Sequence, residues 1–123
     1  MFNLILAEAS LEVVPPEVAG HPQVLAHARK LGVNEREVIL DKSYHYNAMA
    51  KLKQKEKRGR PDIIHFCLLE ALGSPLNLEG LLQVHIHTLN NQVLTVNPRC
   101  RLPRNYNRFI GLMQQLFRDH EIA

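Results

Sequence analysis

The chain has 123 residues, 46% of them hydrophobic, with fifteen Lys and Arg against twelve Asp and Glu, for a net charge of +3. That length and apolar content support one folded α/β core over residues 1–123 and exclude a disordered chain. No apolar run approaches the ~18 residues of a membrane span, and the start MFNLILAEASLEVV has no basic leader and carries Glu8 and Glu12. Cys67 and Cys100 lie far apart with no pairing pattern, so a reducing, cytoplasmic location is expected.

The first strand is predicted at Phe2 to Leu6, an apolar run read as buried. Pro15 and Pro16 interrupt the chain. Residues 21–32, HPQVLAHARKLG, predict a helix opened by Pro22 and closed by Gly32, with Val24, Leu25, Ala28 and Leu31 on one face. REVILD suggests a short strand ending at Asp41. SYHYNAMAKLKQKEKRG predicts a second helix, capped by Ser43, with Met49 and Leu52 inward and Gly59 ending it in the left-handed conformation.

Pro61 and Asp62 open a third helix. It is apolar nearly all round from Ile63 to Leu72, which calls for a core or an interface, and Gly73 and Pro75 stop it. In LLQVHIHTLNNQVLTVNP, Leu82, Val84 and Ile86 alternate with Gln83, His85 and His87. Asn90 and Asn91 tolerate positive φ, so a hairpin with Val93 to Val96 follows. The last helix, Asn105 to Arg118, carries Phe109, Leu112, Met113, Leu116 and Phe117 at the helical period. A strand, helices, a hairpin and a helix make a mixed α/β fold.

Charge is regional. Residues 1–50 carry four basic and six acidic side chains, a net −2, whereas residues 51–118 carry eleven basic and four acidic, a net +7. Such a distribution points to a polyanionic partner. In KLKQKEKRGR the lysines suit a solvated helix end, but Arg58 and Arg60 flank Gly59 and precede Pro61, and guanidinium groups on a tight turn suit bidentate phosphate contacts. Asp62 stands in the first turn of a helix, where a carboxylate offsets the helix dipole and can hold an arginine; a structural role is expected for it.

A second constellation is PRCRLPRNYNRF. Arg99, Arg101, Arg104 and Arg108 fall within ten residues that hold no acid, with Tyr106, Asn105 and Asn107 among them. Arginines interleaved with an aromatic and amides suit single-stranded or looped RNA. The competing account is a surface whose arginines pair with distant carboxylates. His85 and His87 share a strand face but have no third ligand nearby, so no metal site is expected. His45, in YHYN, could stack on a base or cover the core. No nucleophile elbow, phosphate-binding glycine loop or CxxC occurs.

RGRPDIIHFCLLEALGSPLNLEG and NPRCRLPRNYNRFIGLMQQLF, together with DKSYHYNAMAKL, resemble the nucleolar essential protein family (Nep/Emg) in its archaeal form, from the first strand to the last helix. These are SPOUT-class (α/β-knot) methyltransferases of small-subunit ribosomal RNA. The resemblance implies a SPOUT-like N-terminal part with a β-hairpin insertion. It also implies methyl transfer from S-adenosylmethionine to ring nitrogen 1 of a pseudouridine in an RNA hairpin, a step of ribosome biogenesis, by a homodimer with no DNA or membrane partner. On the matching motifs, Arg60, Arg101, Arg104 and Arg108 would contact RNA, and Asp62 would fix the arginine and the local fold. Family members continue past the last helix into the trefoil knot that holds the cofactor. This sequence stops at LFRDHEIA, so no cofactor-binding residue is expected in it, and an RNA-binding module without turnover is the alternative.

Overall fold

The computed structural model describes residues 1–120. Its elements are β1 (Phe2–Ala9), α1 (Pro22–Leu31), α2 (Lys42–His45), α3 (Pro61–Leu72), α4 (Pro75–Leu78), β2 (Leu82–Thr88), β3 (Val93–Val96) and α5 (Tyr106–Asp119), with short 3-10 turns at Glu35–Glu37, Ala48–Lys51 and Lys55–Lys57. One three-stranded sheet has the order β1-β2-β3. β1 lies parallel to β2, with Leu4 opposite Val84, and β3 runs antiparallel to β2, with Ile86 opposite Leu94. The hairpin is therefore continuous with the sheet, and β2 is its middle strand. This is the mixed α/β class that the pattern of elements predicts.

Alternation along β2 is complete: Leu82, Val84, Ile86 and Thr88 are buried and Gln83, His85 and His87 half-buried. The buried side packs on α3 and α5 through Ile64, Leu68, Phe109 and Met113. Burying each such side chain contributes ~1.5–3 kcal/mol, which is why the two helices settle on this face. A second apolar cluster joins Val24 and Ala28 of α1 to Val38, Leu40, Met49 and Leu52. α1 starts as predicted, with Pro22 at its first position and His21 accepting from the Gln23 N–H, and it ends at Gly32 with φ +71°.

Several expectations fail. β1 is not buried: Phe2 and Ile5 are 63% and 60% exposed, so their faces of this edge strand are left uncovered. REVILD forms no strand; Val38, Ile39 and Leu40 are buried in an extended segment with a single bridge from Ile39 to Val13. The helix predicted over 43–59 breaks into α2 and two 3-10 turns, and Gln54, at φ +54°, separates the two turns. Its cap is Asp41, which accepts from the Ser43 N–H, and not Ser43. Met49 and Leu52 still face inward. Gly59 does take the left-handed conformation, at φ +75°, but in the turn that leads to α3; a Cβ there would stand 2.7 Å from Met49 Cε. α3 is buried through Pro61, Ile64, His65 and Leu68 only, and Phe66 on its other face is 64% exposed. Leu31 of α1 is likewise exposed.

Candidate nucleic-acid interface

The Arg-Gly-Arg turn sends its two guanidinium groups in opposite directions. Arg58 turns inward to Glu12, with Nε 2.9 Å from Oε2 and Nη2 2.6 Å from Oε1. Both side chains are nearly enclosed, and the Glu12 bond holds the guanidinium firmly protonated. The expected phosphate role of Arg58 is thereby corrected, because Glu12 neutralises it. Arg60 turns outward. It makes a two-pronged contact with Asp62, Nε to Oδ1 and Nη2 to Oδ2, each at 3.0 Å. Asp62 does not act as the helix cap: the cap position is Arg60 and has no side-chain bond. The Arg60 contact is the main reason the Asp62 carboxyl lies below its ordinary pKa.

The segment between β3 and α5 carries Arg99, Arg101 and Arg104, and it is held by buried Asn77 and His65 from elsewhere in the fold and by a bond of its own. Asn77 of α4 donates from Nδ2 to Pro98 O at 2.9 Å, and Asn97 Oδ1 accepts from the Arg99 N–H at 2.9 Å. His65 of α3 contacts Pro103 O through Nε2 at 2.6 Å and stacks on Phe109 at 4.4 Å. Neither Asn77 nor His65 stands out in the sequence. The available signal for His65 was a polar residue on the same helical face as Pro61, Ile64 and Leu68. Asn105 then caps α5, its Oδ1 accepting from the Arg108 N–H at 3.0 Å.

At the start of α5 the Tyr106 ring lies 5.9 Å from the His65 ring of α3. Arg99 and Arg101 line a cavity of about 450 Å³ walled by Leu68, Ile86, Leu112 and Met113. Arg99, Arg101, Arg104 and Arg108 are all exposed, and none of them pairs with a carboxylate among the described residues.

Asp41 anchors the region. Its Oδ1 accepts from the Ser43 N–H at 2.8 Å and its Oδ2 from the Tyr106 hydroxyl at 2.6 Å. Burial first, and the Asp41 bond second, raise the Tyr106 pKa and keep the phenol neutral. His45 is wholly buried, which decides between the two roles left open for it. The Asp41 N–H donates to its Nδ1 at 3.0 Å, so its proton is on Nε2 and is given to His27 Nδ1 at 2.9 Å. Burial pushes the His45 pKa down to about 4, helped by His27. Among the described residues, no three His, Cys, Asp or Glu side chains cluster as metal ligands, and no helix is long and apolar enough to cross a membrane.

The three-stranded mixed sheet with its helices is the fold of the matching part of a solved SPOUT-class protein. Superposed on the crystal structure of Archaeoglobus fulgidus Nep1 bound to S-adenosylhomocysteine, the chain gives a TM-score of 0.93 at 48% identity, covering 98% of this chain and 55% of that one. The family model described as EMG1/NEP1 methyltransferase matches residues 4–123, and the chain belongs to that family. It is 50% identical over 122 residues to the ribosomal RNA small subunit methyltransferase Nep1 of Thermococcus sibiricus, covering 99% of this chain and 56% of that protein. It is 56% identical over 114 residues to the protein of the same name from Staphylothermus marinus, covering 93% and 50%. The chain thus spans about half the length of these relatives.

Proposed function

We propose that this chain serves S-adenosylmethionine-dependent methylation of ring nitrogen 1 of a pseudouridine in a small-subunit ribosomal RNA hairpin, and that its own part is to grip the RNA. One observation carries this: Arg101, Arg104 and Arg108 are exposed and unpaired among the described residues, while Arg60 is held in a fixed orientation by Asp62. Like charges gathered without acids repel unless a polyanion joins them, and planar guanidinium groups match phosphate oxygens. Relatives named as ribosomal RNA methyltransferases support the substrate, and the S-adenosylhomocysteine bound to the Archaeoglobus protein supports the cofactor. On this reading residues 1–123 act as one α/β unit in cytoplasmic ribosome biogenesis. The apolar side chains left exposed on β1 and α3 support a homodimer.

S-adenosylmethionine presents a sulfonium, an ammonium and a ribose diol, all of which call for acceptors. The cavity edged by Arg99 and Arg101 is lined mainly by leucines, Ile86, Val96 and Met113, with Thr95 and Asn97 as its uncharged polar side chains and no carboxylate. A lining so poor in acceptors supports a second reading, an RNA-binding module without turnover.

Calorimetry tests the assignment of the RNA, and not the cofactor, to this chain. S-adenosylmethionine is titrated into the 123-residue chain, with and without a small-subunit RNA hairpin. RNA binding with no cofactor heat is expected. Saturable cofactor binding would overturn the division of labour, and absence of RNA binding would overturn the proposal itself.

A further inference from the structure

Between α1, the turn at Asp41–Tyr44 and α5 lies a second cleft, of about 300 Å³, at the small end of ligand pockets. One wall is aromatic. His27 stacks on Tyr44 with centroids 4.0 Å apart and planes 11° apart, and Tyr106 is fixed by its bond to Asp41. Lys30 supplies a cation at the cleft. The floor is α5, where Asn107, Gly111 and Gln114 share one face by their spacing of four and three residues. The arginines lie beside it: Arg108 follows Asn107, and Arg104 is two residues before Tyr106.

Two features of that floor have no structural use within the described residues. Gly111 sits mid-helix, where glycine is disfavoured, yet its φ is not positive and a Cβ would meet no atom within 4 Å. Neither the backbone nor packing needs a glycine there; what it does is leave the floor open. The Gln114 Nε2 amide is buried without a hydrogen-bond partner, and such groups normally have one. Stacking surfaces, amides and nearby cations are the groups that hold an unstacked RNA base.

We propose that this cleft takes one unpaired base of the RNA, stacked on Tyr44 with its edge toward Asn107 and Gln114, while Arg104 and Arg108 hold the backbone beside it. The inference rests on the RNA-gripping role proposed above and adds to it a base-sized pocket.

The probe is a small-subunit ribosomal RNA hairpin, together with a set of the same hairpin bearing one abasic site at each loop position in turn. Affinity is read by fluorescence anisotropy across a salt series. For the unmodified protein, one abasic position costs about tenfold in affinity, the size of one base-stacking contact. Gly111→Leu fills the cleft and improves helix propensity, so it folds. It binds the intact hairpin about tenfold more weakly with an unchanged salt slope, and that abasic position no longer matters to it. Tyr44→Leu, tested in parallel, shows the same loss of sensitivity. If both variants bind the intact hairpin normally, or both keep the abasic penalty, the pocket is overturned while the arginine contacts stand. If the unmodified protein binds no hairpin, the RNA-gripping role fails and takes the pocket with it.

Discussion

The Tyr106 hydroxyl donates to Asp41 at 2.6 Å, joining residues 65 positions apart in the chain. That bond pins the first turn of α5, and with it Arg104 and Arg108, to the turn that follows the buried Val38–Leu40 segment. Because the acceptor is a buried carboxylate, Tyr106→Phe is expected to cost ~1.5–3 kcal/mol. Urea denaturation measures this directly, and a midpoint equal to that of the unmodified protein would refute it.

The two arginines of the RGR turn respond differently to loss of their partners. Glu12→Gln leaves Arg58 charged in a nearly enclosed site, where side-chain exposures are 16% and 6%, and is expected to destabilise by ~3 kcal/mol. Asp62→Asn breaks an exposed pair, so stability changes little, but Arg60 loses its orientation and hairpin RNA binds more weakly. Paired denaturation and RNA titrations on both variants decide the matter. Equal destabilisation by the two would show Asp62 to be a structural keystone instead.

His45 sets an acid limit to stability. Its pKa is about 4 in the folded protein against ~6.5 unfolded, so the unfolded chain binds the proton more readily. Stability is complete above the unfolded value, falls as pH drops from ~6.5 toward 4, and levels off below that. Protonation also removes the Nδ1 acceptor for the Asp41 N–H, which drives the same loss. A fall of roughly 3 kcal/mol is expected across the window, followed by chemical denaturation at stepped pH. His45→Gln should remove most of that pH dependence, though at a lower baseline.

Arg104→Glu tests the phosphate contact. A cation that neutralises one phosphate contributes about one unit to the slope of log affinity against log salt. Charge reversal is expected to flatten the slope by at least that amount and to weaken binding to every RNA sequence alike. An unchanged slope would remove Arg104 from the RNA contact.

Gly111→Ala isolates the helix from the cleft. With open space at the Cβ position, alanine is expected to stabilise the protein by ~0.5–1 kcal/mol. A lower melting temperature would mean that the glycine is needed for packing.

The sequence alone determined the elements whose signals are local. Pro22 and Gly32 bound α1, Pro61 opens α3, and the hairpin turns at Asn90–Asn91, where Asn91 takes φ +65°. Of the positions read at the helical period of α5, Phe109 and Met113 are buried and Leu112, Leu116 and Phe117 half-buried. Steric limits on φ and the 3.6- and 2-residue periods act within a few residues, so they can be read from the chain. Tertiary structure decided the rest. Nothing local says that β1 has a neighbour on one side only, that Gln54 breaks a helix-like run, or that Arg58 and not Arg60 meets Glu12 from 46 residues away. The same holds for His65 reaching Pro103 to hold the arginine segment, and for the cleft floor opened at Gly111. Each depends on which distant groups folding brings within hydrogen-bond or van der Waals range, and these short-range contacts exist only once the core has closed.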